Sequence, residues 1–203
     1  MSDTRKLAVL LYGRAKSGKT TLADTAPGPR LLLDAEMGSD FLDSEQVIWD
    51  IESGQECPTD LDEDSTVVVY IREYATLNKV FEFLDEGTHP FETVILDSLT
   101  EIQQRYMDDN VGTDQMKIQQ WGELKRKISL AIRGLRDLKA HSKKPLNVIF
   151  IAALDEVHSE NGEVRQTILM SGSVGKEIPY VVDITALLYL DKENNGARTL
   201  FVG

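Results

Sequence analysis

Residues Gly13–Thr20 read Gly-Arg-Ala-Lys-Ser-Gly-Lys-Thr, and this stretch decides the fold. It fits the pattern G-x-x-x-x-G-K-[ST] at every fixed position. A chain of this length contains such a match by chance in about 1% of cases, which disfavours a glycine-rich turn without a ligand. An apolar run, Leu7–Tyr12, precedes the stretch, and a helical pattern, Lys19–Thr25, follows it. A strand, this turn and a helix in that order predict a phosphate-binding loop, the P-loop.

The pattern also assigns roles to individual residues. Lys19 is predicted to contact the β- and γ-phosphates of a nucleoside triphosphate and to assist catalysis, and Thr20 to coordinate Mg²⁺. ATP and Mg²⁺ are therefore the predicted ligands, although the residues do not distinguish ATP from GTP. The predicted nucleotide-binding residues are Gly13, Arg14, Ala15, Lys16, Ser17, Gly18, Lys19, Thr20 and Thr21.

A P-loop needs a second metal ligand, normally an Asp at the end of an apolar strand. Asp97 stands in such a place, directly after the apolar run Thr93–Leu96. Asp97 could instead cap the helix that starts near Ser98, because Asp and Ser both favour that position. With a P-loop in the same chain, we interpret Asp97 as the Mg²⁺ ligand and Ser98 as a weaker candidate that supports it.

Apolar runs rich in β-branched residues alternate with stretches of helical spacing along the chain. The predicted strands are Leu7–Tyr12, Arg30–Leu33, Thr66–Ile71, Thr93–Leu96, Asn147–Ala152 and Ile184–Leu190. The predicted helices are Lys19–Thr25, Leu77–Leu84, Leu99–Asp108 and Met116–Ala140. This alternation predicts an α/β fold with a mostly parallel central sheet flanked by helices.

Two segments break the alternation. Ser53–Asp64 is acidic and rich in turn residues, which predicts a solvated loop. Residues 155–203 contain two turn signals, Ser159–Gly162 and Glu193–Gly196, each between apolar stretches, so this part is predicted to form antiparallel β-hairpins. No interdomain linker is evident, and we predict one domain over residues 1–203.

Composition narrows the function classes. The 203 residues include one cysteine, Cys57, which excludes an intramolecular disulfide and a cysteine-based zinc site. Apolar runs are too short to cross a membrane, which predicts a soluble, cytoplasmic protein. The net charge of −12 opposes binding to nucleic acid over the whole surface. However, Lys117–Lys144 holds nine Lys or Arg residues against two acids, so a local basic face is expected.

The segment Asp34-Ala35-Glu36 carries a family resemblance. It follows a predicted strand and lies between the P-loop and the later strand that ends in Asp97-Ser98. This arrangement resembles the RecA recombinase core, whose Glu in this place is the catalytic base. The resemblance implies a RecA-like P-loop NTPase fold and a catalytic role for Glu36, with Asp34 as the rival within the motif.

The order of later features resembles the small phage-encoded RecA-like ATPases, the Sak-type single-strand annealing proteins. The matching features are Trp121-Gly122, the apolar strand Asn147–Leu154, the segment Gly175–Pro179 and Asp183. The resemblance implies an ATPase that assembles with itself into a ring or filament and acts on single-stranded DNA in phage recombination or annealing. Such a phage-encoded protein would be located in the cytoplasm of the bacterial host.

Further roles depend on this resemblance. Lys125, Arg126 and Lys127 would contact DNA, although a solvated charged helix face explains them equally simply. Lys176 would act as a catalytic residue from a neighbouring subunit, reaching the γ-phosphate; the alternative is a surface lysine.

Two features depart from the pattern. The strand after the long helix ends in Ala153-Leu154-Asp155 without the usual polar sensor, and the sequence ends at Gly203, where a basic tail is expected. Two other function classes remain open: a P-loop small-molecule kinase, and a nucleotide-dependent assembly protein with little turnover.

Overall fold

The computed structural model describes residues 5–112, 116–158, 161, 164–191 and 193–203, without the side chain of residue 158. In these ranges nine strands form one sheet. The strands are β1 (Ala8–Gly13), β2 (Arg30–Asp34), β3 (Glu45–Ile48), β4 (Ser65–Tyr70), β5 (Thr93–Asp97), β6 (Asn147–His158), β7 (Val164–Ile168), β8 (Ile184–Asp191) and β9 (Ala197–Val202). The α-helices are α1 (Lys19–Ala23), α2 (Tyr74–Asp85), α3 (Leu99–Val111), α4 (Ile118–Asp137) and α5 (Val174–Glu177).

The sheet has the strand order β3-β4-β2-β5-β6-β1-β8-β9, and all neighbours except β8 and β9 are parallel. Strand β7 pairs antiparallel with the carboxyl half of β6, opposite Leu154–His158. The predicted α/β fold, with a parallel sheet and C-terminal antiparallel strands, is confirmed. Because parallel strands share one carboxyl edge, the ends of β1, β2 and β5 lie on the same side of the sheet.

Alternating residues of the central strands face two different helix layers. Leu31 and Leu33 of β2 belong to the large core that α2, α3 and α4 cover. Leu32 belongs to a smaller core on the opposite face, together with Ala23 of α1. All five residues of β2 and of β5 are consequently buried, including the polar residues at the ends of each strand.

Several details differ from the sequence predictions. Strand β3 was not predicted, and a short helix, α5, follows β7. Helix α4 begins at Ile118, and a 3₁₀ turn, Leu138–Ala140, completes the predicted helical stretch. Most of the acidic loop Ser53–Asp64 is irregular, as expected.

The two predicted hairpin turns have different outcomes. Of the turn Ser159–Gly162, only Asn161 belongs to the described part of the chain. The turn Glu193–Gly196 joins β8 to β9, and Asn195 and Gly196 both have the positive φ that an Asn-Gly turn requires. None of the helices in the described ranges has the length and apolar character needed to cross a membrane.

His89 is a buried titratable group that affects stability. It is 4% exposed, it stacks on Phe91, and neither ring nitrogen has a hydrogen-bond partner among the described residues. Its pKa is lowered to about 4. Burial is the main cause, and the nearby Lys144 and His141 lower it further while Glu92 opposes the shift. The folded state therefore disfavours protonation of this imidazole.

We expect stability to depend on the protonation of His89. The unfolded chain binds this proton near pH 6.5, whereas the folded chain binds it only near pH 4. Stability is thus lost as the pH falls from 6.5 to 4, by on the order of 1 to 3 kcal/mol from this group. The His89→Phe variant should lose less stability than the wild type over that window, as measured by urea unfolding at several pH values. Parallel curves for the two proteins would contradict this expectation.

Candidate nucleotide-binding site

The P-loop connects the carboxyl end of β1 to the start of α1. Gly13 ends β1 at a close approach, because a Cβ there would lie 2.3 Å from the carbonyl oxygen of Leu188 in β8. Gly18 has φ of +95°, a left-handed conformation that favours glycine. Both fixed glycines of the pattern are therefore required by the backbone, and they place Lys19 as the first residue of α1.

The Lys19 side chain is held against the P-loop itself. Its Nζ donates hydrogen bonds to the carbonyl oxygens of Gly13, at 3.2 Å, and of Arg14, at 3.0 Å. These contacts keep the ammonium group at the loop rather than extended into solvent. A positive charge in this position suits the phosphates of a nucleotide.

Thr20 and Asp97 meet beside the P-loop. The Thr20 hydroxyl donates a 2.5 Å hydrogen bond to Oδ2 of Asp97, which is 5% exposed at the end of β5. The pKa of Asp97 is raised to about 6, mainly by burial, with added repulsion from Glu36 and Asp34. The Thr20 hydrogen bond and the Lys19 charge act in the opposite direction. A cation would offset the cost of this buried negative charge.

Mg²⁺ fits these two residues. A P-loop hydroxyl and a carboxylate are hard oxygen ligands, which Mg²⁺ prefers. Within the described residues, no three His, Cys, Asp or Glu side chains form a metal site by themselves. The remaining ligands would therefore come from nucleotide phosphates and water, as is usual for Mg²⁺.

The sequence left open whether Asp97 binds Mg²⁺ or caps α3, and the contacts of Asp97 and Ser98 distinguish these two roles. Ser98 is the N-cap of α3, and its Oγ accepts a hydrogen bond from the backbone N–H of Glu101 at 3.3 Å. The same hydroxyl donates a 2.5 Å hydrogen bond to Oε1 of Glu36. Capping thus falls to Ser98, and the Asp97 carboxylate remains with Thr20.

Asp34 and Glu36 have different surroundings. Asp34 is 2% exposed, and its two carboxylate oxygens accept hydrogen bonds from the backbone N–H groups of Gly38, at 3.3 Å, and Ser39, at 3.0 Å. Glu36 is exposed and contacts Ser98. Asp34 therefore shapes the loop after β2, whereas Glu36 is the carboxylate that can reach a substrate.

Comparisons with known proteins identify the family of this chain. A family model described as an AAA domain matches residues 5–202. The chain belongs to the AAA domain family. No curated protein matches it.

Among solved structures, this AAA domain is similar to a prototypical ATPase from the type III secretion system of pathogenic bacteria, with a TM-score of 0.51 and 15% sequence identity. The match covers 93% of this chain and 54% of that one, so the chain spans about half the length of that ATPase. At this identity the likeness shows the fold alone, that of a RecA-like P-loop NTPase. The resemblance to Sak-type annealing proteins stays a prediction.

The AAA domain brings further residues to the site that the sequence did not reveal. Arg105 of α3 donates from Nη2 to the carbonyl oxygen of Ala35 at 3.3 Å and forms an ion pair with Glu101 at 3.2 Å. It links α3 to the segment that carries Glu36. Arg105 is not part of a sequence motif. Its contact with Ala35 could not be predicted because it depends on how α3 packs beside the end of β2.

The C-terminal hairpins of the AAA domain also contact the P-loop. Arg14 forms a 2.6 Å ion pair with Glu156 in the antiparallel part of β6. Arg198 of β9 donates from Nε to the carbonyl oxygen of Ser17 at 3.1 Å. The sequence gives no local signal for either contact, since both depend on the pairing register of the hairpins.

The other predicted site residues of the AAA domain lie elsewhere. Lys125, Arg126 and Lys127 are exposed on α4, and Lys125 forms a 2.6 Å ion pair with Glu177 of α5. Lys176, also in α5, is exposed. No described contact joins these residues to the P-loop of the same chain. The structure thus brings together the P-loop, Asp97 and Glu36, and leaves the predicted DNA contacts and Lys176 outside that cluster.

Proposed function

We propose that this AAA domain, residues 1–203 as one unit, binds ATP with Mg²⁺ and hydrolyses it. The observation that carries the proposal is the meeting of three groups at one edge of the sheet. These are the P-loop with Lys19, the Thr20–Asp97 pair at 2.5 Å, and Glu36 on Ser98 at 2.5 Å. A phosphate site, a metal site and a candidate base are the parts that hydrolysis of a nucleoside triphosphate needs.

The residues of the chain divide the work of the reaction. Lys19 would leave the carbonyl oxygens of the loop and bind phosphate oxygens, where its charge stabilises the transition state. Glu36 would accept a proton from the attacking water through the oxygen that Ser98 does not occupy. Ser98, fixed as the N-cap of α3, orients that carboxylate. Mg²⁺, bound by Thr20 and Asp97, would neutralise charge on the phosphates.

The release of phosphate from ATP by the wild-type chain tests the proposal. Release that requires Mg²⁺ supports an ATPase. Transfer of the phosphate to a small molecule would instead identify a kinase, and tight binding without release would identify a nucleotide-dependent assembly protein. The exposed Glu36 beside the P-loop favours hydrolysis over the last alternative.

We further propose that the ATPase acts on single-stranded DNA in phage recombination or annealing. The support is the basic part of α4, where Arg126 and Lys127 are exposed, together with Trp121, which is 39% exposed and lies five residues before Arg126 in the same helix. Cationic side chains bind phosphates, and an exposed indole can stack on a base. Lys125 is paired with Glu177, so its contribution to DNA binding should be smaller.

We expect the double variant Arg126→Gln, Lys127→Gln to bind single-stranded DNA more weakly and with a shallower salt dependence. For each phosphate contact that the variant loses, fewer counterions are released on binding. The slope of log K against log salt therefore becomes shallower by about 0.7 per lost contact. Fluorescence anisotropy with a labelled oligonucleotide at several salt concentrations measures both effects. The control variant Lys79→Gln, Lys143→Gln removes the same charge from outside α4. Equal losses of DNA affinity in both variants would mean that the charged face of α4 is only solvated and does not bind DNA.

Lys176 is proposed to complete the site of a neighbouring subunit in a ring or filament. Its support is its exposure on α5, where it is available to a second chain. An ATPase rate per chain that does not change with protein concentration would contradict this role.

A further inference from the structure

Arg198 lies against the P-loop although it comes from the other end of the chain. Strand β8 runs beside β1, with Leu188 opposite Gly13, and continues beyond it. Strand β9 returns antiparallel to β8 and places Arg198 opposite Leu190, two residues past Leu188. The β8–β9 hairpin thereby extends past the start of the P-loop.

The side chain of Arg198 is in close contact with the loop backbone. Its Nε donates a 3.1 Å hydrogen bond to the carbonyl oxygen of Ser17. A Cβ built on Gly18 would lie 2.9 Å from that Nε and 3.5 Å from Cζ of the guanidinium group. The guanidinium group therefore lies directly over Gly18, the residue before Lys19 in the sequence. A side chain at position 18 would displace it.

The charge of Arg198 is not neutralised by the part of the chain that the structure describes. No described carboxylate lies within ion-pair distance of it, and the two terminal nitrogens have no described hydrogen-bond partner. Three other arginines, by contrast, have a carboxylate partner: Arg14 with Glu156, Arg105 with Glu101 and Arg136 with Asp137. Arg198 is thus an unpaired cation at a loop whose sequence predicts phosphate binding.

We propose that Arg198 binds phosphate oxygens of the nucleotide held in the P-loop of its own chain. The hydrogen bond from Nε to Ser17 fixes one edge of the planar guanidinium group. The N–H groups of the terminal nitrogens remain available, and their fork geometry suits a phosphate. This inference rests on the proposed nucleotide binding. It gives the C-terminal hairpin a direct part in the site.

The test compares variants by isothermal titration calorimetry with ATP and, separately, with inorganic triphosphate. Arg198→Ala should bind both ligands about tenfold more weakly, which is the usual loss for one charge-assisted contact. Arg198→Lys should retain part of the affinity, because it keeps the charge but loses the fork. Arg5→Ala is the matched control. It removes an arginine whose side chain is 82% exposed at the opposite end of β1, and it should bind like the wild type.

The Arg198→Gln variant distinguishes two roles of Arg198: its positive charge, and its hydrogen bond to the P-loop backbone at Ser17. Its amide can still donate to Ser17 but carries no charge, so its affinity should fall as far as that of Arg198→Ala. Wild-type affinity in Arg198→Gln would overturn the proposal, as would a loss confined to ATP, which would place the contact on the nucleoside. Unchanged affinity in Arg198→Ala, with affinity lost in Lys19→Ala, would overturn only the role of Arg198. A wild type that binds neither ligand would overturn the proposed function as well.

Discussion

The Glu36→Gln variant is expected to bind ATP as tightly as the wild type and to hydrolyse it at least about a hundredfold more slowly. A positioned general base contributes on the order of a hundredfold or more to a rate. Glutamine keeps the size of the side chain and can still accept the 2.5 Å hydrogen bond from Ser98, but it cannot take a proton from water. Phosphate release under saturating ATP, with binding measured separately, distinguishes the chemical step from affinity.

Asp34→Asn is the matched control for Glu36→Gln, since both substitutions convert a carboxylate to an amide within one segment. Asp34 accepts hydrogen bonds from Gly38 and Ser39, and an amide oxygen can replace only one of its two oxygens. This variant should therefore lose stability more than rate. A large loss of rate in Asp34→Asn, with an active Glu36→Gln, would transfer the role of base to Asp34.

The parts of the site that the sequence predicted belong to two patterns. The P-loop is a fixed local motif, and Asp97 and Glu36 follow apolar strands. Parallel strands share a carboxyl edge, so residues at the ends of two adjacent parallel strands lie together. In the structure β2 and β5 are adjacent, and Asp34 is the partner of Asp97. The ends of these strands can be read from the apolar runs in the sequence, whereas the adjacency of β2 and β5 comes from the structure.

The remaining contacts required the three-dimensional structure. Arg198 and Glu156 reach the P-loop through antiparallel pairing, and a register shift of one residue would turn each side chain to the other face. Ser98 and Asp97 are both good helix caps by type, and only the hydrogen bond from Glu101 assigned the cap to Ser98. Strand β3 was not predicted because its four residues, Glu45–Ile48, do not form a continuous apolar run. The strand lies at the edge of the sheet, and none of its residues is fully buried.

The Lys19→Ala variant is expected to lose tight ATP binding while it keeps the fold. Lys19 donates to Gly13 and Arg14 of its own loop, so the side chain is free to exchange these carbonyl oxygens for phosphate oxygens. Hydrogen bonds to charged groups contribute about 1.5–3 kcal/mol each, so losing one or two should weaken ATP binding by about a hundredfold. The melting temperature without nucleotide should change little, because Lys19 packs against the loop rather than in the core.

Lys16→Ala is the control that separates the position of Lys19 from its charge. Lys16 belongs to the same loop and is exposed, and it has a positive φ of 62°, which alanine would adopt with similar strain. Both variants remove one positive charge from the P-loop, but only Lys19 is held over its carbonyl oxygens. Titration calorimetry with ATP should therefore show a large loss in Lys19→Ala and a small one in Lys16→Ala. Equal losses would mean that the loop attracts ATP through its general charge, and the specific phosphate contact assigned to Lys19 would be wrong.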